Sequence, residues 1–170
     1  EAVVRNSLIH ADLKLSNILL TTSRDGAYVA KVADFGLSKS FAHGAETTNT
    51  FTRNVYTAPE LLGVDSKKPS EQSDVYAFGW VLLQMVARQQ THWHNKELNM
   101  KKVLDRKDEK LITIVRQHCP MAHDLVLRCW GECGERPAFA VLNQEMHKII
   151  CANPPELGVE IDAYKHQPNE

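Results

Sequence analysis

The sequence predicts a mainly α-helical fold with one short β-hairpin near its start. Three observations carry this. Residues 73–88 are apolar nearly all the way round a helix, the mark of a buried helix. Two later stretches, roughly 121–131 and 137–150, place apolar residues at helical spacing. Ile18–Leu20 and Tyr28–Ala33 are short strand-like runs joined by TTSRDGA, a turn-rich loop containing Asp25-Gly26.

The elements follow in order. LIHADLKLSNILL, from Leu8 to Leu20, sets His10, Asp12, Lys14 and Asn17 between two apolar flanks, with Leu8, Ile9, Leu13, Ile18 and Leu19 expected to anchor the polar group. Residues 37–57 are polar and aperiodic, and a loop of that length inside a domain is usually functional or mobile. Ala58-Pro59-Glu60-Leu61-Leu62 reads as a short helix opened by Pro. In the helix from Ser73 to Arg88, Val75, Phe78, Val81, Leu82 and Met85 form one stripe, with Ala77, Trp80 and Leu83 opposite. Ser73 is its expected cap, with Asp74 in the first turn. Residues 101–117 carry mixed charges and read as a solvated surface. In the last helix Phe139, Leu142, Met146, Ile149 and Ile150 share a face. Residues 151–170, with a Pro pair and little apolar content, read as a poorly ordered tail.

Composition narrows the function classes. The chain has 170 residues, 43% of them hydrophobic, enough for a core. Twenty Lys and Arg against 21 Asp and Glu give a net charge of −1, so no basic excess points to nucleic acid. No apolar run approaches the ~20 residues of a membrane helix, and the start lacks the sections of a signal peptide. The absent initiating Met reads as a piece of a longer chain. Four Cys are too few for a disulfide scaffold and favour a reducing, intracellular and cytoplasmic setting. Membrane anchoring would rest on segments outside this chain.

Three blocks carry the chemistry. His10-Ala11-Asp12-Leu13 with Asn17 fits H-x-D-L-x-x-x-N, Asp34-Phe35-Gly36 follows the second strand, and Ala58-Pro59-Glu60 comes next. Any one is weak alone, but the ordered set is specific. SDVYAFGWVLLQM at 73–85 and RCWGECGERPAF at 128–139 agree with it. Over roughly residues 7–150 the sequence resembles the large, C-terminal lobe of a eukaryotic protein kinase, and the Cys-Trp and Arg-Pro-x-Phe elements look most like the tyrosine-kinase-like group.

The resemblance implies a partial kinase domain over residues 1–150, with the small N-terminal lobe absent and the hairpin beside the catalytic loop. It implies a serine/threonine kinase acting in signal transduction, a transferase that uses ATP and Mg²⁺ on Ser/Thr hydroxyls of protein substrates, with the isolated piece inactive. Asp12 would orient the substrate hydroxyl and accept its proton. Lys14 would set a cation near the transferring phosphate, in the manner of Ser/Thr-specific members. Asn17 and Asp34 would supply one neutral and one anionic oxygen to Mg²⁺. Phe35 and Gly36 complete their block structurally, and His10 would pack and hydrogen-bond beneath the loop. Asp74 would hold the catalytic-loop backbone, and Glu60 with Arg136 would form a buried ion pair.

Departures from the family pattern leave other readings open. Ala11 stands where most kinases have an Arg that pairs with a phosphate, so Thr47, Thr48, Thr50 and Thr52 lack an obvious reader. Arg53 replaces a Thr that usually bridges the catalytic Asp and Lys, and could pair with Asp12. No Gly-rich loop or strand Lys occurs in the chain. A pseudokinase lobe acting as a binding module is the alternative. An unrelated helical interaction domain with chance motifs is the third.

Overall fold

The computed structural model describes residues 9–36, 54–62, 66–88 and 109–152. Leu8, Thr47, Thr48, Thr50, Thr52, Arg53 and the tail from residue 153 onward lie outside them.

Strands β1 (Ile18–Thr22) and β2 (Tyr28–Val32) form an antiparallel hairpin in which Ile18 faces Val32 and Thr22 faces Tyr28. One-turn 3-10 helices lie at Leu15–Asn17, entering β1, and at Pro59–Leu61. The helices are α1 (Glu71–Ala87), α2 (Glu109–His118), α3 (Pro120–Cys129) and α4 (Phe139–Ala152). Among the described residues no helix is long and apolar enough to cross a membrane.

Helix α1 is the centre of the core. Twelve of its 17 residues are buried. It packs on α2 and α3, which touch each other, and α4 lies on α3. It begins earlier than the sequence suggests. Ser70 is the cap, its hydroxyl accepting the Ser73 N–H, while Ser73 Oγ accepts the Ser70 N–H at 3.0 Å. This reciprocal box, with Ser where Glu or Gln is usual, places the expected cap inside the first turn. Gly79 is where α3 comes closest. A Cβ there would lie 2.7 Å from Trp130 Nε1 and 2.8 Å from Cys129 Cβ, so no larger residue fits without displacing the Trp80–Trp130 pair, whose rings sit 4.5 Å apart.

Three expectations need correction. The charged stretch 101–117 is not solvated throughout. From Glu109 it enters α2, where Leu111 and Val115, one turn apart, are buried against the core. On α4 only Leu142 and Ile149 are buried, with Met146 partly so, while Phe139 and Ile150 are exposed because the helix meets the core along a narrow seam. On α1 Met85 is exposed.

The apolar surface left bare lies mainly on the hairpin. Leu19, Leu20, Tyr28, Val29 and Val32 are all exposed, Leu20 to 72%. Leu19 is therefore no anchor of the polar loop, whereas Leu13 is buried. By register Leu20 and Tyr28 share one face. The 170-residue chain expressed alone is expected to bind a hydrophobic dye there. Leu20→Lys with Tyr28→Lys should remove most of that binding and change stability by about 0.5 kcal/mol or less. Dye fluorescence that ignores both substitutions would place the bare surface elsewhere.

Candidate active site

The polar loop 10–17 is held from below by the buried start of α1. Asp74 Oδ2 accepts the His10 N–H at 2.7 Å, and Asp74 Oδ1 accepts the Ala11 N–H at 2.9 Å. Burial pushes the Asp74 carboxyl above its ordinary range, and the two amide donors only partly offset that. Both held residues need the support. Ala11 has φ 66, the left-handed region that a side chain disfavours, so the carboxylate clamps a bend the sequence does not favour on its own.

His10 carries the hold onward. Its ring is buried, Nε2 donates to the Ala33 carbonyl at 2.9 Å, and Nδ1 accepts the Asp12 N–H at 3.2 Å. The same ring meets Phe35, centroids 4.7 Å apart. Loop and second strand are tied again where the Ala33 N–H donates to Asn17 O at 2.8 Å. The two motif blocks, far apart in sequence, are thus joined through His10 and through the hairpin.

Within the loop, Asp12 Oδ2 accepts from Lys14 Nζ at 2.7 Å and from Asn17 Nδ2 at 3.2 Å. Asn17 Nδ2 also donates to Asp12 O at 2.8 Å. Both donations come from the amide nitrogen of a buried side chain, which leaves Asn17 Oδ1 on the other side of the amide plane. Asp34 is exposed with φ 63, and its Oδ1 accepts the Gly36 N–H at 3.4 Å. Aspartate tolerates this backbone better than most residues. A Cβ at Gly36 would stand 3.2 Å from that oxygen, so glycine keeps the carboxylate uncrowded.

The third block is fixed by an ion pair. Arg136 Nη1 and Nη2 donate to Glu60 Oε1 and Oε2 at 2.6 and 2.9 Å, a bidentate fork. Arg136 also donates to Gly131 O and Gln72 O, and its guanidinium lies 5.2 Å from the Tyr76 ring centre. Burial alone would raise the Glu60 carboxyl, but the Arg136 pair outweighs it and holds the group below its ordinary value.

The sequence reading missed one contact. Tyr56 Oη accepts from Gln84 Nε2 at 2.9 Å, and Gln84 is a buried amide on α1. The available signal was a Gln in an otherwise apolar helical run. Arg53 and the Thr residues of the polar loop are outside the described residues, so an Arg53–Asp12 pair has no description here.

A family model for the protein kinase domain matches residues 1–151. The chain belongs to the protein kinase family.

Curated kinases align over most of it. The probable serine/threonine-protein kinase pats1 of Dictyostelium discoideum is 35% identical over 158 residues, 88% of this chain and 5% of that protein. The dual specificity protein kinase shkA of the same organism is 32% identical over 174 residues, 94% of this chain and 31% of its own length. The probable inactive receptor kinase At1g48480 of Arabidopsis thaliana is 45% identical over 80 residues, 47% of this chain and 11% of that protein. The chain thus spans 5% to 31% of the length of these kinase relatives.

Proposed function

We propose that this chain is the catalytic-loop lobe of an ATP- and Mg²⁺-dependent protein kinase that phosphorylates Ser/Thr hydroxyls of protein substrates. The observation that carries the reading is the hydrogen-bonding of Asp12. Both nearby donors, from Lys14 and Asn17, converge on Oδ2. Oδ1 has no partner among the described residues and is the oxygen left to orient a substrate hydroxyl and take its proton.

Lys14 serves the phosphate. Its pair with Asp12 is part-exposed, 30% and 25% at the two side chains. Pairs of this kind contribute about 0–1 kcal/mol, so Lys14 can exchange Asp12 for a phosphate oxygen at small cost. Asn17 Oδ1 and the Asp34 carboxylate fit Mg²⁺, an oxygen-seeking ion that usually takes one or two protein ligands and fills its shell with water and phosphate. Bound Mg²⁺ would neutralise charge on the phosphates. The chain's own part is to hold those two oxygens on adjoining ends of one hairpin and to keep Asp12 fixed through His10 and Asp74.

Lys14 favours Ser/Thr as acceptor, yet one relative is named dual specificity. The test is phosphate incorporation by the full-length protein into peptide libraries with Ser, Thr or Tyr as sole acceptor, beside nucleotide titration with and without Mg²⁺. Incorporation into Ser and Thr alone supports the proposal, and Tyr incorporation corrects the acceptor. Ala11 and the relative named inactive favour a second reading, a pseudokinase module. Absence of both transfer and Mg²⁺-dependent nucleotide binding would select it.

A further inference from the structure

Helix α1 buries three polar side chains among apolar ones, Ser73, Asp74 and Gln84. A buried polar group destabilises unless it is bonded, so each marks a place where the helix holds something. Ser73 closes the capping box, and Asp74 holds the catalytic loop. Gln84, 3% exposed, donates from Nε2 to Tyr56 Oη at 2.9 Å and to Trp80 O at 3.0 Å, and Tyr56 Oη lies 3.3 Å from Gln84 Oε1. An aliphatic side chain would serve the packing alone. The amide gives up that simplicity to grip one tyrosine 28 residues away.

Tyr56 sits in a closed turn. Its N–H donates to Asn54 Oδ1 at 2.9 Å, the Thr57 N–H donates to Asn54 O at 3.1 Å, and the Asn54 N–H donates to Thr57 Oγ1 at 3.2 Å. Val55 and Ala58 on either side are buried in the core. A rigid turn gripped through one side chain moves as a unit. Asp74 and Gln84 stand ten residues apart on α1, about 15 Å along the axis at ~1.5 Å per residue. One rigid helix therefore sets the spacing between the catalytic loop and residues 54–58.

We infer that Gln84 is a positioning residue acting through Tyr56, holding turn 54–58 at the distance from Asp12 that a bound protein substrate requires. The inference rests on the kinase reading proposed above. It assigns to the pair an effect on peptide substrate with no effect on nucleotide, because neither residue touches Asn17 or Asp34.

The experiment uses the full-length protein with Tyr56→Phe, Gln84→Leu, the double variant and Gln84→Glu. Steady-state kinetics give KM for a phosphoacceptor peptide, KM for ATP and kcat, and thermal melts are recorded alongside. Tyr56→Phe and Gln84→Leu should each raise peptide KM about tenfold with ATP KM unchanged. The double variant should be no worse than either single, because both remove one bond. Gln84→Glu keeps an acceptor for the tyrosine hydroxyl, so it should lower the melting temperature by burying an acid yet retain most of the peptide KM. A peptide KM within twofold of wild type in Tyr56→Phe overturns the inference. So does an additive double variant, or a parallel loss of ATP affinity, which would mark general damage. If wild type neither binds Mg²⁺-ATP nor transfers phosphate, the kinase reading falls and this inference falls with it. A working wild type that ignores Tyr56→Phe removes the positioning role alone.

Discussion

Asp12→Asn is expected to lower phosphoryl transfer by about 10²–10⁴-fold while Mg²⁺-ATP binding persists. The amide keeps the shape and can still meet Lys14 and Asn17, but it cannot accept a proton from a substrate hydroxyl. Asp34→Asn should behave differently. It removes the anionic oxygen of the proposed Mg²⁺ site, so nucleotide affinity in Mg²⁺ and turnover should fall together. The pair is read by nucleotide titration with Mg²⁺ and by phosphate incorporation on the full-length protein. Loss of nucleotide binding in Asp12→Asn would mean that the loop collapses without its charge. Retained binding in Asp34→Asn would move the metal elsewhere.

Arg136→Leu is expected to cost about 3–5 kcal/mol of stability, because it strands the Glu60 carboxylate in a nearly dry place. Glu60 and Arg136 side chains are 9% and 1% exposed. Arg136 also satisfies two backbone carbonyls, at Gly131 and Gln72, so its loss opens more than the ion pair. Glu60→Leu added to Arg136→Leu should recover part of the loss, since no charge is then left alone. Acid gives an independent check. The Glu60 carboxyl is held below its ordinary value of 4.5 in the folded chain. Its contribution is present above that value and is lost as pH falls through the lower, folded one. The Asp74 carboxyl is shifted the other way, so its term runs oppositely, favouring the folded state as pH falls. Denaturant melts between pH 6 and pH 3 should show a drop in wild type that Glu60→Gln reduces. An unchanged pH slope in that variant would remove the pair from the account.

How much of this was legible follows from where the information sits. His10, Asp12, Asn17 and Asp34 stand in short, ordered blocks, so they could be found by spacing, and the apolar density of α1 announced a buried helix. What was lost depended on partners distant in sequence. The capping box at Ser70 was hidden because Ser73 fills a place usually taken by Glu or Gln. Helix α2 was hidden because Leu111 and Val115 follow a run of charges that dominates any window containing them. Phe139 and Ile150 have the spacing of core residues, yet α4 offers the core only a seam. The Tyr56–Gln84 bond joins two residues that are each unremarkable alone, and only the folded chain brings them together.

The hairpin also governs which changes of length the chain can absorb. Asn17 and Asp34 flank its closed end, where the Ala33 N–H meets Asn17 O, and five paired rungs separate that end from the turn at Ser23–Ala27. That is about 17 Å at ~3.3 Å per residue. Residues inserted or deleted at the turn leave the closed end where it is, because every rung keeps its partner. A single deletion within either strand would slide one oxygen ligand past the other by about one residue and turn alternate side chains to the opposite face. Among descendants of this sequence, gaps should therefore gather around Arg24 to Gly26 and be absent from Ile18–Thr22 and Tyr28–Val32.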